Sequence, residues 1–184
     1  LNKGRIISND TMMLNESRLI NTNITGNFKL AGNIFIHVDN TFNGTVTILD
    51  TIRDDYYHYD LYVTGDVINK GAIIRDPNSW NFVWYITGNI MNQGIWRPYQ
   101  TLLNGTGVQT IGQSTGKKFE CQYYISDTVG SVNLSSNIYF EGYNFDLGGE
   151  TVNTNGFIWS SLNHRVSNGA LMSNDTINWY NSSI

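Results

Sequence analysis

The chain has 184 residues with a net charge of −4, and only 14% of them are charged. That balance supplies neither the basic footprint of a nucleic-acid binder nor the polybasic segment of a membrane anchor, and the 40% hydrophobic content suits one well-buried domain. Polarity comes from Asn, Ser, Thr and 18 Gly, which favour turns over helix interiors, so helix is expected to be scarce. A single Cys121 excludes an intrachain disulfide framework, and its setting has no cluster with metal-ligand spacing. No apolar run approaches the ~20 residues of a membrane-spanning helix.

In chain order, Leu1-Asn-Lys-Gly4 matches Ile68-Asn-Lys-Gly71 and reads as a start inside a repeat. The chain is therefore expected to be a piece of a longer protein, with any targeting segment upstream. Met12 to Ile20 is the one stretch with room for a short helix. Asn23-Ile-Thr-Gly-Asn-Phe-Lys-Leu-Ala-Gly-Asn-Ile34 is a first copy of a motif in which Leu30 stands where later copies have Asn. Phe42 to Leu49 leaves room for a further coil, and 50–60 is expected to project as a loop. Tyr62-Val-Thr-Gly-Asp-Val-Ile-Asn-Lys-Gly-Ala-Ile73 then returns as Tyr85-Ile-Thr-Gly-Asn-Ile-Met-Asn-Gln-Gly-Ile-Trp96, with class preserved at nearly every position. Short β-rich runs bounded by Gly, Asn and Asp fall at 34–38, 45–49, 59–64, 72–75 and 82–87. After the repeat decays, further runs fall at 108–111, 119–125, 138–140, 143–147, 157–159 and 177–180.

A coil of roughly 20 to 25 residues cannot bury its apolar face alone and must stack on copies of itself. The expected architecture is all-β, a right-handed parallel β-helix of roughly eight coils, about 38 Å long at the spacing of hydrogen-bonded strands. Alternation within a strand sends Tyr59, Leu61 and Val63 inward beneath Phe82, Trp84 and Ile86. His58, Asp60, Tyr62 and Thr64 then face outward under Asn81, Val83, Tyr85 and Thr87. The same overlay sets Arg53 beside Asp76 as an exposed ion pair. An antiparallel β-sandwich is the alternative, in which the likeness of the two segments would be a hairpin coincidence.

The Thr-Gly-Asn/Asp-x-x-Asn-x-Gly units at 64–71 and 87–94, with Leu103-Asn-Gly-Thr-Gly-Val-Gln-Thr-Ile111, resemble right-handed parallel β-helix repeats of large secreted bacterial surface proteins. The likeness is strongest to those exported by Bacteroidetes-type bacteria and spans residues 60–160. It implies an extracellular or cell-surface location and a coil geometry, and specifies no activity.

Among residues that could carry chemistry, Asn69 and Asn92 share one repeat position next to Gly71 and Gly94. They are assigned to the scaffold, as corner amides that bond local backbone and stack on one another. Gly65, Gly71, Gly88 and Gly94 are expected to supply positive φ at tight corners. The sharpest ligand candidate is the stretch 50–60, with Asp54, Asp55, Tyr57, His58 and Asp60, facing Asp76 and Trp80 of the next coil, so that Tyr57 lies near Trp80. Aromatic rings there would pack on sugar faces while carboxylates bind hydroxyls or Ca²⁺; no other cofactor is expected.

A catalytic reading would pair carboxylates among Asp54, Asp55, Asp60 and Asp76, or among Glu120, Glu141, Asp146 and Glu150, about 5 to 9.5 Å apart. A lyase would instead need Arg53 or Arg75 as base near Ca²⁺. Asp54 and Asp55, adjacent in an extended chain, would point to opposite faces. No nucleophile elbow, phosphate loop or zinc helix motif is present, and Thr45-Val-Thr47 does not recur as a flat ice-binding array would. Sequons at Asn9, Asn15, Asn23, Asn43, Asn104, Asn133, Asn174 and Asn181 are read as composition rather than as modification sites. The sequence thus reads as a non-catalytic structural or adhesive segment that displays loops to glycans or surface proteins and makes end-to-end contacts with flanking domains or copies. A polysaccharide hydrolase or lyase on the same scaffold is the alternative.

Overall fold

The computed structural model describes residues 2–55, 59–79, 81–126, 128–142, 144–163 and 165–182. The described residues contain no helix, and every named strand pairing is parallel. Each coil has three short strands, such as Tyr59–Val63, Val67–Asn69 and Ala72–Ile74, which lie beneath Phe82–Ile86, Ile90–Asn92 and Ile95–Arg97 of the next coil. The coils build three faces: two continuous sheets of nine strands, and a third of five plus three strands joined by bridges through Phe119. The chain is a β-solenoid of about eight turns, about 38 Å long at the usual strand spacing. Tyr62 lies beside Tyr85 in a parallel register, which removes the sandwich alternative.

Stacking converts the alternation within each strand into continuous columns. On the first face Ile24, Phe42, Val63, Ile86, Leu103 and Ile125 follow one another, none more than 1% exposed. On the third face Ile34, Ile52, Ile73, Trp96, Phe119 and Phe140 do the same. This third-face column is aliphatic in the early coils and aromatic in the later ones, where Trp96, Phe119, Phe140 and Trp159 form a chain of ring contacts 4.6 to 5.4 Å apart. Each fully buried side chain of this size contributes about 1.5–3 kcal/mol through removal from water. Polar groups within this core are paired in places: Thr101 accepts the Trp96 indole N–H at 2.9 Å, so that ring is buried without an orphaned donor.

The period changes along the chain. Ile6, Ile24 and Phe42 stack at equal intervals; the step then lengthens from Phe42 to Val63, lengthens again from Val63 to Ile86, and shortens sharply from Ile86 to Leu103. Extra residues enter at corners, leaving the columns intact. One expected pair fails for this reason. Arg53 lies beside Ile74, not Asp76, and its guanidinium sits over the Phe35 ring at 5.6 Å. Asn2 bridges Ile20 on the third face, whereas Asn69 belongs to the second, so the match between the first residues and 68–71 joins different positions. Met12 to Ile20 is two strands, Met12–Asn15 and Arg18–Ile20, with a corner between them. The stretch expected to project at 50–60 is strand at both ends, Thr51–Asp54 and Tyr59–Val63. Val83 keeps its outward register between Asp60 and Gln100 yet is only 4% exposed.

The corner residues owe their identity to stacking. Asn69 Nδ2 donates to Asn92 Oδ1 at 2.9 Å and to the Ile95 carbonyl at 2.8 Å. Asn92 Nδ2 reaches the Lys118 carbonyl at 3.0 Å, and its Oδ1 accepts the Gly94 N–H. The same column holds Leu30 and Ile48 below. Gly65, Gly71, Gly88 and Gly94 do not have φ in the left-handed range. They are glycine because a Cβ at each would run into the backbone one coil below: Gly44 for Gly65, Asp50 for Gly71, Gly65 for Gly88 and Gly71 for Gly94.

Candidate functional site

The described acidic residues of the 50–60 stretch, Asp54, Asp55 and Asp60, take different partners. Asp54 takes a core-facing position in register with Ile36 and is 1% exposed, which leaves it unavailable to an outside ligand. Its Oδ1 accepts the Asp76 backbone N–H at 2.6 Å, and Ser79 adds a side-chain hydrogen bond. Burial raises the Asp54 pKa above the ordinary carboxylate value, and those hydrogen bonds offset the effect in part. Asp55, on the opposite side of the chain, pairs with Arg18 and lies 3.4 Å from His37 Nδ1. Asp76 closes its own turn by accepting the Asn78 N–H at 2.8 Å. Thus Asp54 and Asp76 fasten the connection through residues 76–79, while Asp55 closes a neighbouring corner. Tyr57, His58 and Trp80, with the expected approach of Tyr57 to Trp80, lie outside the described residues.

Among the described residues of this set, Asp60 joins a surface array. Its carboxylate accepts the Tyr62 hydroxyl at 3.2 Å and also bonds the Tyr85 hydroxyl. The two rings stack with centroids 4.7 Å apart and planes inclined by 16°. Burial and the Asp60 charge push the Tyr62 phenol up to about 12 and raise that of Tyr85, so both stay protonated at neutral pH. The column continues through Leu102 and Tyr124 to Asp146. Beside it run Asp60, Val83, Gln100 and Gln122. The result is a strip of partly exposed rings and one leucine, bordered in its later coils by the amides of Gln100 and Gln122. A recess of about 370 Å³ at its upper end is lined by Gln122, Tyr124, Asn144, Asp146 and Arg165 among others.

Gln122 also lines a larger cleft of about 590 Å³ at the corner between the third and first faces. Its walls carry Arg75, Arg97, Tyr99, Glu120 and Glu141, with Pro77 and Pro98 as rigid apolar surfaces. Arg97 grips Glu120 through Nε at 2.6 Å and a second nitrogen at 3.0 Å. Lys118 bridges Glu120 at 3.1 Å and Glu141 at 2.6 Å. Burial would raise the Glu120 pKa, but the hydrogen bonds from Arg97 and Lys118 outweigh it and hold Glu120 below the usual range. The cleft therefore offers one carboxylate, Glu120, kept ionised by its cations. Among the described residues no group of three His, Cys, Asp or Glu side chains is placed to hold a metal ion, and no helix is long and apolar enough to cross a membrane.

The repeat pointed to Tyr62 and Tyr85 as outward residues, but not to Leu102 and Tyr124 as their continuation. The step from Tyr85 to Leu102 is shorter than the step from Tyr62 to Tyr85, so a fixed period passes over them. Arg97 and Glu120 are separated by the same interval as Asn69 and Asn92, and that spacing was a usable signal for the ion-pair ladder. No protein-family model matches the chain, and neither a curated protein nor a solved structure is significantly similar to it.

Proposed function

We propose that this chain is an extracellular, non-catalytic solenoid segment that binds extended polysaccharide along its first face. The observation that carries the reading is the Tyr62–Tyr85 stack, with both hydroxyls tied to Asp60. Rings fixed in this way present an ordered row of ring edges and partly covered faces, with little conformational entropy left to lose on binding. Leu102 and Tyr124 extend the platform at the strand spacing of about 4.8 Å, and Gln100 and Gln122 border it with amide donors and acceptors suited to sugar hydroxyls. A linear polymer laid along the solenoid axis would meet the same chemistry at successive coils. The platform sits on a stiff rod, which suits adhesion and display. The likeness of the repeats to secreted bacterial β-helix proteins supports the location.

The test is calorimetric titration with neutral polysaccharide chains, compared for the wild type, Tyr62→Ala, Tyr85→Ala and the double variant. Each ring contributes about 0.5–1.5 kcal/mol, so each single variant should weaken binding by about 2- to 10-fold. Unchanged affinity in a folded double variant rejects the platform. Release of reducing ends that Glu120→Gln or Glu141→Gln abolishes would make the protein an enzyme instead.

A further inference from the structure

We infer that the corner cleft is a binding site for a carboxylate-bearing sugar residue, a uronate, with Arg75 as its anion receptor. This deepens the glycan-binding reading and rests on it. The charges lining the cleft are not equivalent. Arg97 in the wall is paired with Glu120, and Lys118 beside the cleft pairs with Glu120 and Glu141, through the contacts already described. The Arg75 guanidinium lies 5.6 Å from the centroid of the Tyr99 ring, with no carboxylate partner among the described residues. In a protein of net charge −4, Arg75 is the cation of the cleft that no described carboxylate pairs, and it is the group there that attracts an anion.

Its surroundings are organised for a ring that carries that anion. The Arg75 backbone N–H donates to the Arg97 carbonyl at 2.9 Å, which ties the residue to the coil above. Stacking over Tyr99 orients the planar guanidinium. A planar fork matches a carboxylate with two parallel hydrogen bonds. Pro77 and Tyr99 offer apolar faces to a pyranose ring, and Gln122 and Asn163 offer amides to its hydroxyls. The volume of about 590 Å³ falls within the roughly 300–1,000 Å³ of small-ligand sites. Because Gln122 lines both this cleft and the recess above the tyrosine strip, a chain on the first face can place an acidic unit in the cleft.

The experiment compares calorimetric binding of an oligogalacturonate with that of its methyl ester, which has the same sugars but no charge. The acid should bind more tightly than the ester, and added salt should narrow the difference. Arg75→Gln should weaken acid binding by roughly tenfold or more and leave ester binding unchanged. Arg75→Lys, which keeps charge but loses the fork, should restore only part of the loss. Circular dichroism confirms that each variant keeps its fold. Equal binding of acid and ester, or an acid preference that survives Arg75→Gln, overturns the inference; ester binding that still depends on Tyr62 and Tyr85 leaves the broader reading intact. Failure of both ligands to bind overturns both.

Discussion

The buried Oδ1 of Asp54 accepts the backbone N–H of Asp76 at 2.6 Å, so a carboxylate in a core-facing column fastens the connection that lengthens the coil between Ile74 and Phe82. Apolar side chains fill the same column one and two coils below, at Ile36 and Leu19. The polar substitution is tolerated because the connection brings its own donors.

Asp54 should make stability depend on pH in the direction opposite to a salt-bridged carboxylate. Its folded pKa is raised, chiefly by burial. Its contribution is therefore fully present below the ordinary value of 3.8 and is lost as pH rises through the folded value. Asp54→Asn keeps an acceptor without the charge, so it should be no less stable than wild type at pH 7 and should flatten the stability profile above 3.8. Asp54→Ala strands the donors of Asp76 and Ser79 and should cost about 2 kcal/mol. Urea unfolding between acid and neutral pH measures both; an Asn variant as damaged as the Ala variant at pH 7 contradicts the assignment.

Glycine substitutions should separate close approach from turn conformation. Gly94→Ala drives a methyl group into the Gly71 carbonyl of the coil below, so the coils must separate, at a cost of about 3 kcal/mol or more. Gly107 meets nothing within 4 Å and has no left-handed φ. Gly107→Ala should be neutral or stabilise by about 0.4–1 kcal/mol through the unfolded chain. Thermal midpoints of the two variants that shift equally would contradict this account of the corners.

Val38 stands at φ 66°, a conformation that costs a β-branched residue about 1–2 kcal/mol. The residue after the paired Ile20 in the coil below is Asn21, also left-handed at φ 46°. Val38→Asn copies that solution and should raise stability by about 1 kcal/mol, read from the denaturant midpoint. A loss of stability would show that the valine side chain contributes more to packing than its backbone costs.

The coil itself was legible in the amino-acid order. Tyr62–Ile73 and Tyr85–Trp96 share apolar positions, corner Gly and corner Asn because each rung must present the same shape to the next, and that demand is written residue by residue. Also legible were the side chains of 59–63 and 82–86 that enter the core, since alternation in a strand is a local property. Which residues share a surface emerged only from the folded chain. The step between stacked residues is one length from Ile24 to Phe42, longer from Phe42 to Val63, longest from Val63 to Ile86 and shortest from Ile86 to Leu103. No fixed period could therefore place Tyr124 in line with Tyr85 or Arg53 beside Ile74. Folding likewise made Asp54 a buried anchor and Asp60 a surface acceptor, because burial depends on which corner folds over a carboxylate, and corner length is the feature of a solenoid that its stacking rule leaves free.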